Sequence, residues 1–396
     1  MEWKLYFGLS FAMFMEYAIW GAWMPVLAAR LLGPLKMTGK QTGWIYATFP
    51  IACIFMPLVS GQLADKYVNT EYILAVGHLL GAVCMYLAVR QTKFKNLLVV
   101  MFLYSVCYCA TLPLVNSLIL HHLDKAYGDA DAVNAASANI FIWAPIGWAL
   151  IAWSLTGWRW KFKTGEKGSD CLYLAAVLSL IMGIGCFFLP ATAPASKGTP
   201  ILDAMQMFTD ANFLVFIVVS MVFFGLMQFY FLGTAPFMQD RGIPAKNVPA
   251  SMGIAQVVQA IATVVLMVFL MERIGMKWTM VVGAACWFIL YVAYVVQKPA
   301  WIIIACQPFH GLAYVLFVIV GQLFANSLAS KEIRSSVQSL LFAATTGVGL
   351  FAGTQFAGVV MDKYRKEGKF QWRSIFCVPC AIALGGVLVF VFFLKA

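Results

Sequence analysis

Charge is scarce in this 396-residue chain: Asp, Glu, Lys and Arg together make up 11% of it, where a soluble domain carries roughly 25%. So few charges cannot cover a water-facing surface, which excludes a set of soluble domains and leaves most of the surface to lipid. Acidic residues are the scarcer sign, 16 against 27 basic ones. The basic residues are scattered through short segments between apolar stretches and form no patch, so the net charge of +11 does not imply a nucleic-acid partner. No Walker loop, dinucleotide glycine fingerprint or H-E-x-x-H motif is present. An enzyme, a nucleotide-driven pump, a cofactor and a metal centre are therefore not expected. A disulfide framework is not expected either. Most of the ten cysteines, among them Cys53, Cys84, Cys107, Cys109, Cys186, Cys286 and Cys306, fall inside apolar stretches, where they read as small packing residues. Cys377 and Cys380 spell C-x-x-C, but no soluble redox domain surrounds them. The N-terminus shows no cleavable signal, since its first apolar stretch is long, contains Glu16 and has no small-residue cleavage site behind it.

What the chain does have is apolar residues, 62% of the total. A helix needs roughly 20 of them to cross the hydrocarbon core. Stretches free of Asp, Glu, Lys and Arg run over 41–64, 72–89, 96–123, 132–158, 171–196, 211–239, 247–271, 278–297, 299–330, 335–361 and 374–394, and 5–29 is clean except for Glu16. They predict twelve transmembrane helices. Barrel strands would instead alternate polar and apolar residues at about ten per crossing. The expected fold class is an all-α membrane protein.

The two halves echo each other. Met15-Glu16-Tyr17 with Gly21 is matched by Met227-Gln228-Phe229 with Gly233, Asn116-Ser117-Leu118 by Asn326-Ser327-Leu328, and Gly43 by Gly253. The offsets are close to one value and the order is kept, which predicts a duplicated six-helix unit, an architecture that places a transporter's site between the repeats at mid-membrane. Bundles over 1–190 and 210–396 are expected, joined by a Pro- and small-residue-rich linker at 191–209.

After the second stretch comes Gly61-Gln-Leu-Ala-Asp65-Lys66, and a looser echo, Glu272-Arg273, follows the eighth. The first resembles the major facilitator signature loop, Gly-x-x-x-Asp-Arg/Lys, whose glycine permits close helix approach and whose acid can cap a helix N-terminus. That loop lies on the cytoplasmic side, which would put both termini in the cytoplasm. The distribution of basic residues points the other way. Eighteen of the 27 fall in the odd-numbered loops, and the positive-inside rule would place those loops inside. The signature, as a specific structural joint, carries more weight.

Polar groups at mid-bilayer are costly and mark partners or water-filled cavities. Glu16 is the only carboxylate deep inside a predicted span. An acid there that gains and loses a proton is what proton-coupled transport requires. Glu16, Trp20 and Trp23 share one helix face by their spacing. Gln228 occupies the equivalent place in the second half, so opposed repeats would turn Glu16 and Gln228 toward one central cavity. Gln256 and Gln259 share a face of the eighth span and serve either a polyhydroxylated or heterocyclic ligand or amide packing between helices. Gln307, His310 and Tyr314 form a stripe on the tenth span, where His310 is a second candidate for titration. Tyr108 and Asn116 are placed on one face of the fourth span. Trp143 and Trp148 lie inside the fifth, either stacking on a planar ligand or packing. His78 and the pair His121-His122 read as structural.

Trp20-Gly-Ala-Trp23, the Gly61–Lys66 signature, Gly77-His78, Leu114-Val-Asn116-Ser117 and Trp143 with Ile146-Gly147 together resemble the nucleoside:proton symporter family of the major facilitator superfamily, with the likeness running along nearly the whole chain. The resemblance implies two six-helix domains working by alternating access in the cell's inner membrane, with a nucleoside bound between them and inward proton flow driving uptake. It also implies ligand contacts from Gln228, Gln256, His310 and Tyr314, and an aromatic role for Trp148. The chain departs from the family pattern at Phe141, where an arginine is frequent, at Pro145, where a small hydroxyl residue is common, and at Gln259 and Val315, where acids occur. Glu16, helped by His310, is then the expected proton carrier. The alternatives are a transporter for another small polar solute such as a sugar, and a membrane sensor that binds without moving solute.

Overall fold

A computed structural model describes residues 2–128, 130–194, 206–328 and 334–395. The linker expected at 191–209 falls largely outside the described residues. Among those residues, eleven helical segments are long and apolar enough to cross a membrane, and Val248–Val264 is a shorter apolar helix. Each of the twelve predicted stretches lies on one of them. The helices are α1 (Trp3–Leu32), α2 (Gly39–Lys66), α3 (Thr70–Arg90), α4 (Phe94–Tyr127), α5 (Ala130–Phe141 continued by Trp143–Phe162) and α6 (Asp170–Phe188) in the first half. The second half has α7 (Ala211–Asp240), α8, α9, α10 (Trp301–Leu328), α11 (Leu340–Lys363) and α12 (Trp372–Phe393). Helix α8 is Val248–Val264, interrupted at Val265 and carried on by residues 266–274. Gly275, at φ +76° and ψ 169°, breaks the helix there, and α9 follows over 276–296. Only glycine takes that backbone conformation without strain.

The helix ends follow local chemistry. Thr38 and Gln41 form a reciprocal capping box at the start of α2. Asp210 caps α7 by accepting from the Phe213 N–H at 2.7 Å. Gly128, with positive φ, closes α4. Outside the helices is a two-residue hairpin, Arg365–Lys366 against Lys369–Phe370, turning through Glu367 and Gly368, both at positive φ.

The packing repeats between halves. In the first, α1 packs on α5, α3 on α6 and α2 on α4; in the second, α7 packs on α11, α9 on α12 and α8 on α10. The halves meet through α2 against α11 and α5 against α8. These contacts concentrate at the ends that carry the odd-numbered loops. A Cβ on Gly43 would sit 2.6 Å from the Thr354 carbonyl oxygen, and one on Gly358 2.6 Å from that of Gly39, so α2 and α11 touch backbone to backbone only because both carry glycine. Helices in lipid gain little from apolar burial against one another, and small residues allow this close approach. Gly253 packs on Ala152 in the same manner between α8 and α5. The burial of α2 and α8 is one-ended: Thr42, Ile45 to Ala47 and Phe49 are buried while Leu58, Val59 and Leu63 are exposed, and Val248 to Ala255 are largely buried while Ile261, Val264 and Val265 are exposed. The interface is thus closed at the odd-loop end and spreads toward the end that carries both termini.

Polar bonds fasten the closed end. The Asp362 carboxylate, on the last turn of α11, accepts from the Gly39 N–H at 2.5 Å and the Lys40 N–H at 2.8 Å, capping α2 from the opposite bundle. The first four N–H groups of a helix have no partner within it, and a carboxylate there also meets the positive end of the helix dipole. Arg159 pairs with Asp170 at 2.7 Å and reaches across to the Ala245 carbonyl at 3.0 Å. Trp160 donates to Asn247 and the Ala250 N–H donates to Thr156. Arg30 is buried and holds the carbonyls of Val89 and Lys167. Two of the basic residues that weigh against the family orientation, Arg30 and Arg159, are therefore structural braces.

The signature loop is corrected in one respect. Gly61, Asp65 and Lys66 are not in a loop but in the last turns of α2, and a Cβ on Gly61 would meet nothing within 4 Å. Its close-approach role is unused in this state, as befits its place at the open end. Asp65 is described in its backbone alone. Glu272-Arg273, its echo, likewise ends α8.

Removing the cross-bundle cap tests whether it holds the closed end. An N-cap side chain contributes about 1 kcal/mol, so Asp362→Ala should lower the closed-to-open ratio about fivefold. Labelling of a Thr42→Cys protein by an impermeant maleimide, measured above the native-cysteine background, should rise correspondingly. An unchanged rate would show that the glycine contacts alone hold this end shut.

Candidate functional site

Helix α1 brings its polar face to α4 and not to the space between the bundles. Glu16 is 0% exposed. Its Oε2 lies 2.9 Å from His78 Nε2 on α3, its Oε1 accepts from the Thr111 hydroxyl at 2.8 Å, and its backbone carbonyl accepts from the Tyr108 hydroxyl at 2.6 Å. Trp23 donates to the Tyr104 hydroxyl at 3.2 Å. The face shared by Glu16, Trp20 and Trp23 exists, but it lies along the stacked pair Tyr104 and Tyr108 of α4. The expectation that Glu16 looks into a cavity opposite Gln228 is corrected: its carboxyl is sealed inside the first bundle. The physical reason is that a carboxyl group in hydrocarbon needs partners at once, and α3 and α4 supply them. His78, read from the sequence as structural, is its direct partner. No spacing rule reveals this, because the two residues are 62 positions apart.

Helix α4 breaks after Cys109 and resumes at Leu112, just ahead of Pro113. The break separates Tyr108, fully buried on α1, from Asn116, half-buried beyond it, so they do not share one uninterrupted face. Trp143 is also displaced from the expected cluster. It donates to the Tyr6 hydroxyl at 3.2 Å and packs edge-on against Phe14, near the open end.

Trp20 and Trp148 do meet, with ring centroids 5.4 Å apart. Gly21 makes this possible, since a Cβ there would stand 2.7 Å from the Trp148 ring. Trp20 stacks on Phe49 at 4.8 Å, and Trp148 reaches Phe231 of α7 at 6.4 Å. These rings bridge the two bundles at mid-membrane. One helical turn before Phe231, on the same face by its spacing, stands Gln228. It is 0% exposed, and neither its amide oxygen nor its amide nitrogen has a hydrogen-bond partner. Among the buried side chains of the described residues it is the one amide with both its oxygen and its nitrogen unpaired; the hydroxyls of Ser10, Thr42, Ser179 and Ser220 are also without partners. The indole N–H of Trp20 is likewise buried and unpaired. An unmet buried amide costs about 1–3 kcal/mol, and native structures tolerate few of them.

Gln256 follows Gly253 by three residues and so continues the face of α8 that meets α5, with Gln259 one turn further; both are buried. Helix α10 comes so close that a Cβ on Gly311 would collide with the Ala255 carbonyl of α8. From Tyr314 to Ile319 the coil of α10 widens to a π-helix, a distortion common at functional sites. Tyr314 begins that segment half-buried, within electrostatic reach of Tyr17 on α1. Tyr17 was not singled out by the sequence, although it lies three residues before Trp20.

His310 and Gln307 turn inward. His310 stacks on Tyr230 at 3.8 Å and 5°, and its Nδ1 accepts from the Trp287 indole at 3.3 Å. An indole N–H only donates, so that nitrogen carries no proton. Gln307 joins the hydroxyls of Tyr230 and Tyr294 and the Ile303 carbonyl. Both are packing residues of the second bundle in this state. A surface hollow of about 640 Å³ lined by Asp240, Arg241, Gln297 and Lys298 is remote from all these groups. No His, Cys, Asp and Glu cluster suited to a metal occurs among the described residues.

The contrast between two buried amides generates a prediction. Gln228→Leu removes an unpaired amide and should leave the melting temperature of the detergent-solubilised protein unchanged or raise it, while abolishing ligand-induced stabilisation. Gln307→Leu strips three hydrogen bonds and should lower it. Thermal unfolding followed by intrinsic fluorescence separates the two outcomes; a clear loss of stability in Gln228→Leu would assign that amide to packing.

Comparison with known proteins gives these observations a setting. The family model described as Nucleoside H+ symporter matches residues 3–396. The nucleoside permease NupG of Escherichia coli (strain K12) is 25% identical over 404 residues, covering 97% of this chain and 94% of the permease. The xanthosine permease of the same organism is 24% identical over 401 residues, covering 96% and 94%. The crystal structure of NupG superposes with a TM-score of 0.84 at 24% identity, covering 99% of each chain. An inward-facing, unoccupied bacterial homologue of the lysosomal transporter Spinster superposes with a TM-score of 0.72 at 13% identity, covering 98% of this chain and 94% of that one. The fold is that of these transporters, the chain is a multi-pass membrane protein and not an enzyme, and it belongs to the nucleoside:proton symporter family.

Proposed function

We propose that this protein carries a nucleoside into the cell together with protons, by alternating access, from a site between its two bundles. The observation that supports this most directly is a pair of unmet buried polar groups, the Gln228 amide on α7 and the Trp20 indole N–H on α1, on the two helices that the rings of Trp20, Trp148 and Phe231 link between the bundles. A nucleoside suits both. Its ribose hydroxyls and base edge donate and accept, as a glutamine amide does, and its base is a flat ring for Trp20 and Trp148. Gln256, Gln259 and Tyr314 supply further polar contacts around it, and Asn116 lies beyond the α4 break on the same approach. The contacts between the bundles are tightest at the odd-loop end, so the route to the site in this reading leads toward the termini. With both termini in the cytoplasm of a cell whose inner membrane holds the protein, that route leads inward.

Glu16 carries the proton in this scheme. His310, stacked and accepting a hydrogen bond, serves the packing of α10 instead. No arginine stands at Phe141 and no acid at Val315, so recognition falls to amides and aromatic rings. That suits an uncharged ligand, which brings no charge into the low-dielectric site.

The test is uptake by the purified protein in proteoliposomes. Radiolabelled uridine should exchange by counterflow without a pH gradient and accumulate when the outside is made acidic. Unlabelled uridine or adenosine should compete, and simple hexoses should not. Competition by hexoses alone would reassign the substrate to sugars, and binding without any counterflow would identify a sensor. Glu16→Gln should keep counterflow and lose accumulation.

A further inference from the structure

We propose that the proton is exchanged at a three-residue site, Glu16, His78 and Thr111, sealed inside the first bundle, in which the proton is shared by Glu16 and His78 and Thr111 is the positioning residue. The inference rests on the symport reading above. Its geometry is unusual for a buried acid. A structural carboxylate is commonly fixed by Arg or Lys or by backbone N–H groups, which can only donate and so hold it ionised. Here both carboxyl oxygens face groups that work in either direction. His78 Nε2 is 2.9 Å from Oε2 and Thr111 Oγ1 is 2.8 Å from Oε1.

Thr111 has one hydroxyl hydrogen and two acceptors within reach, Glu16 Oε1 and the Tyr108 carbonyl oxygen at 2.7 Å. With Glu16 ionised, the hydroxyl donates to Oε1 and His78 Nε2–H donates to Oε2. When a proton is added to Oε1, the acid O–H donates to Thr111, whose own hydrogen swings to the Tyr108 carbonyl. His78 continues to donate to Oε2. One proton enters, one hydroxyl turns, and both carboxyl oxygens, the Thr111 hydroxyl and the Tyr108 carbonyl keep partners in both states. The site therefore accommodates a proton without rearrangement of the helices, which an Arg-paired carboxylate cannot do. His78 can also take the proton itself, leaving an ion pair of zero net charge.

The other titratable groups around Glu16 are Tyr17 on its own helix, Tyr104, Tyr108 and Cys109 on α4, and Cys186 on α6. None of these is a base or a second carboxyl group; the buried carboxyl group of Glu71 on α3, also within reach of Cys186, is taken up by Asn69 and the Thr192 N–H. Glu16 and His78 are thus the pair on which a proton resides. Tyr108 links this pair to the substrate site, since its hydroxyl holds the Glu16 carbonyl while its ring lies beside Trp20. Thr111 lies in the break of α4 between Cys109 and Leu112, so a shift of that helix against α1 when the bundles rock would open the pair to water.

The experiment compares His78→Gln, Thr111→Val and Thr111→Ser in proteoliposomes with uridine. His78→Gln keeps a hydrogen-bonding group beside Glu16 but cannot titrate. It should retain counterflow, lose accumulation under a pH gradient, and lose the alkalinisation of a weakly buffered medium that accompanies uptake. Thr111→Val should act in the same direction, and Thr111→Ser should restore both readouts. A His78→Gln protein that accumulates uridine as the unaltered protein does would overturn the proposal. Infrared difference spectra on a pH jump supply a readout independent of transport: the protonated-carboxyl band should vanish in Glu16→Gln and shift in His78→Gln. Absence from the unaltered protein of both that band and a histidine imidazolium band lost in His78→Gln would equally overturn it. Failure of uridine counterflow in the unaltered protein would instead refute the nucleoside reading, and the infrared result would still decide the site.

Discussion

Everything in this molecule answers to one constraint: inside the hydrocarbon core there is no water to satisfy a polar group, so each must find its partner within the protein. Glu16 finds His78 and Thr111, and in doing so ties α1 to α3 and α4. Gln307 finds two tyrosines and a carbonyl, tying α10 to α7 and α9. Arg159 finds Asp170 and a carbonyl of the opposite bundle. Against that background an unpaired amide such as Gln228 stands out, and the proposed function assigns it to the ligand.

The same constraint explains how two bundles can be both firmly built and free to move. Within each bundle Glu16, Gln307 and Arg159 are matched by polar partners and large aromatics interlock, as with Trp287, Phe223 and Phe317. Between bundles the contacts are of another kind. Glycines bring backbones together at one end, and a few exposed or half-exposed hydrogen bonds, Asp362 to α2 foremost, fasten it. Such contacts are individually worth about a kilocalorie and can be exchanged for water at the membrane surface. In the proposed scheme Tyr108 joins the two sites, since its hydroxyl holds the Glu16 carbonyl and its ring lies beside Trp20.

Much of this was legible in the chain. Twelve apolar stretches predicted the twelve crossings, even where α8 and α9 join without a conventional loop, because Gly275 breaks the helix between two apolar runs. The repeat pairs of residues sit at equivalent helical positions, and the pairing of α1 with α5 and α7 with α11 repeats accordingly. Trp20, Trp148 and Gln228 were recognisable as polar or aromatic groups too deep in the membrane to be incidental. What could not be read was direction. Spacing places Glu16, Trp20 and Trp23 on one face, but a face has no label for the helix it will meet. The same holds for His310, which lies on the right helix and turns to Tyr230 and Trp287.

By itself, then, the sequence determined the solvent this protein lives in, the number of its crossings and the residue types that had to be explained, because hydropathy and the price of buried charge act on each residue wherever it ends up. Only the tertiary structure decided which of those residues are satisfied by neighbours and which are left without a partner. That distinction depends on distances between helices tens of residues apart, set by where glycines allow approach and where α4 breaks, and no local rule contains it.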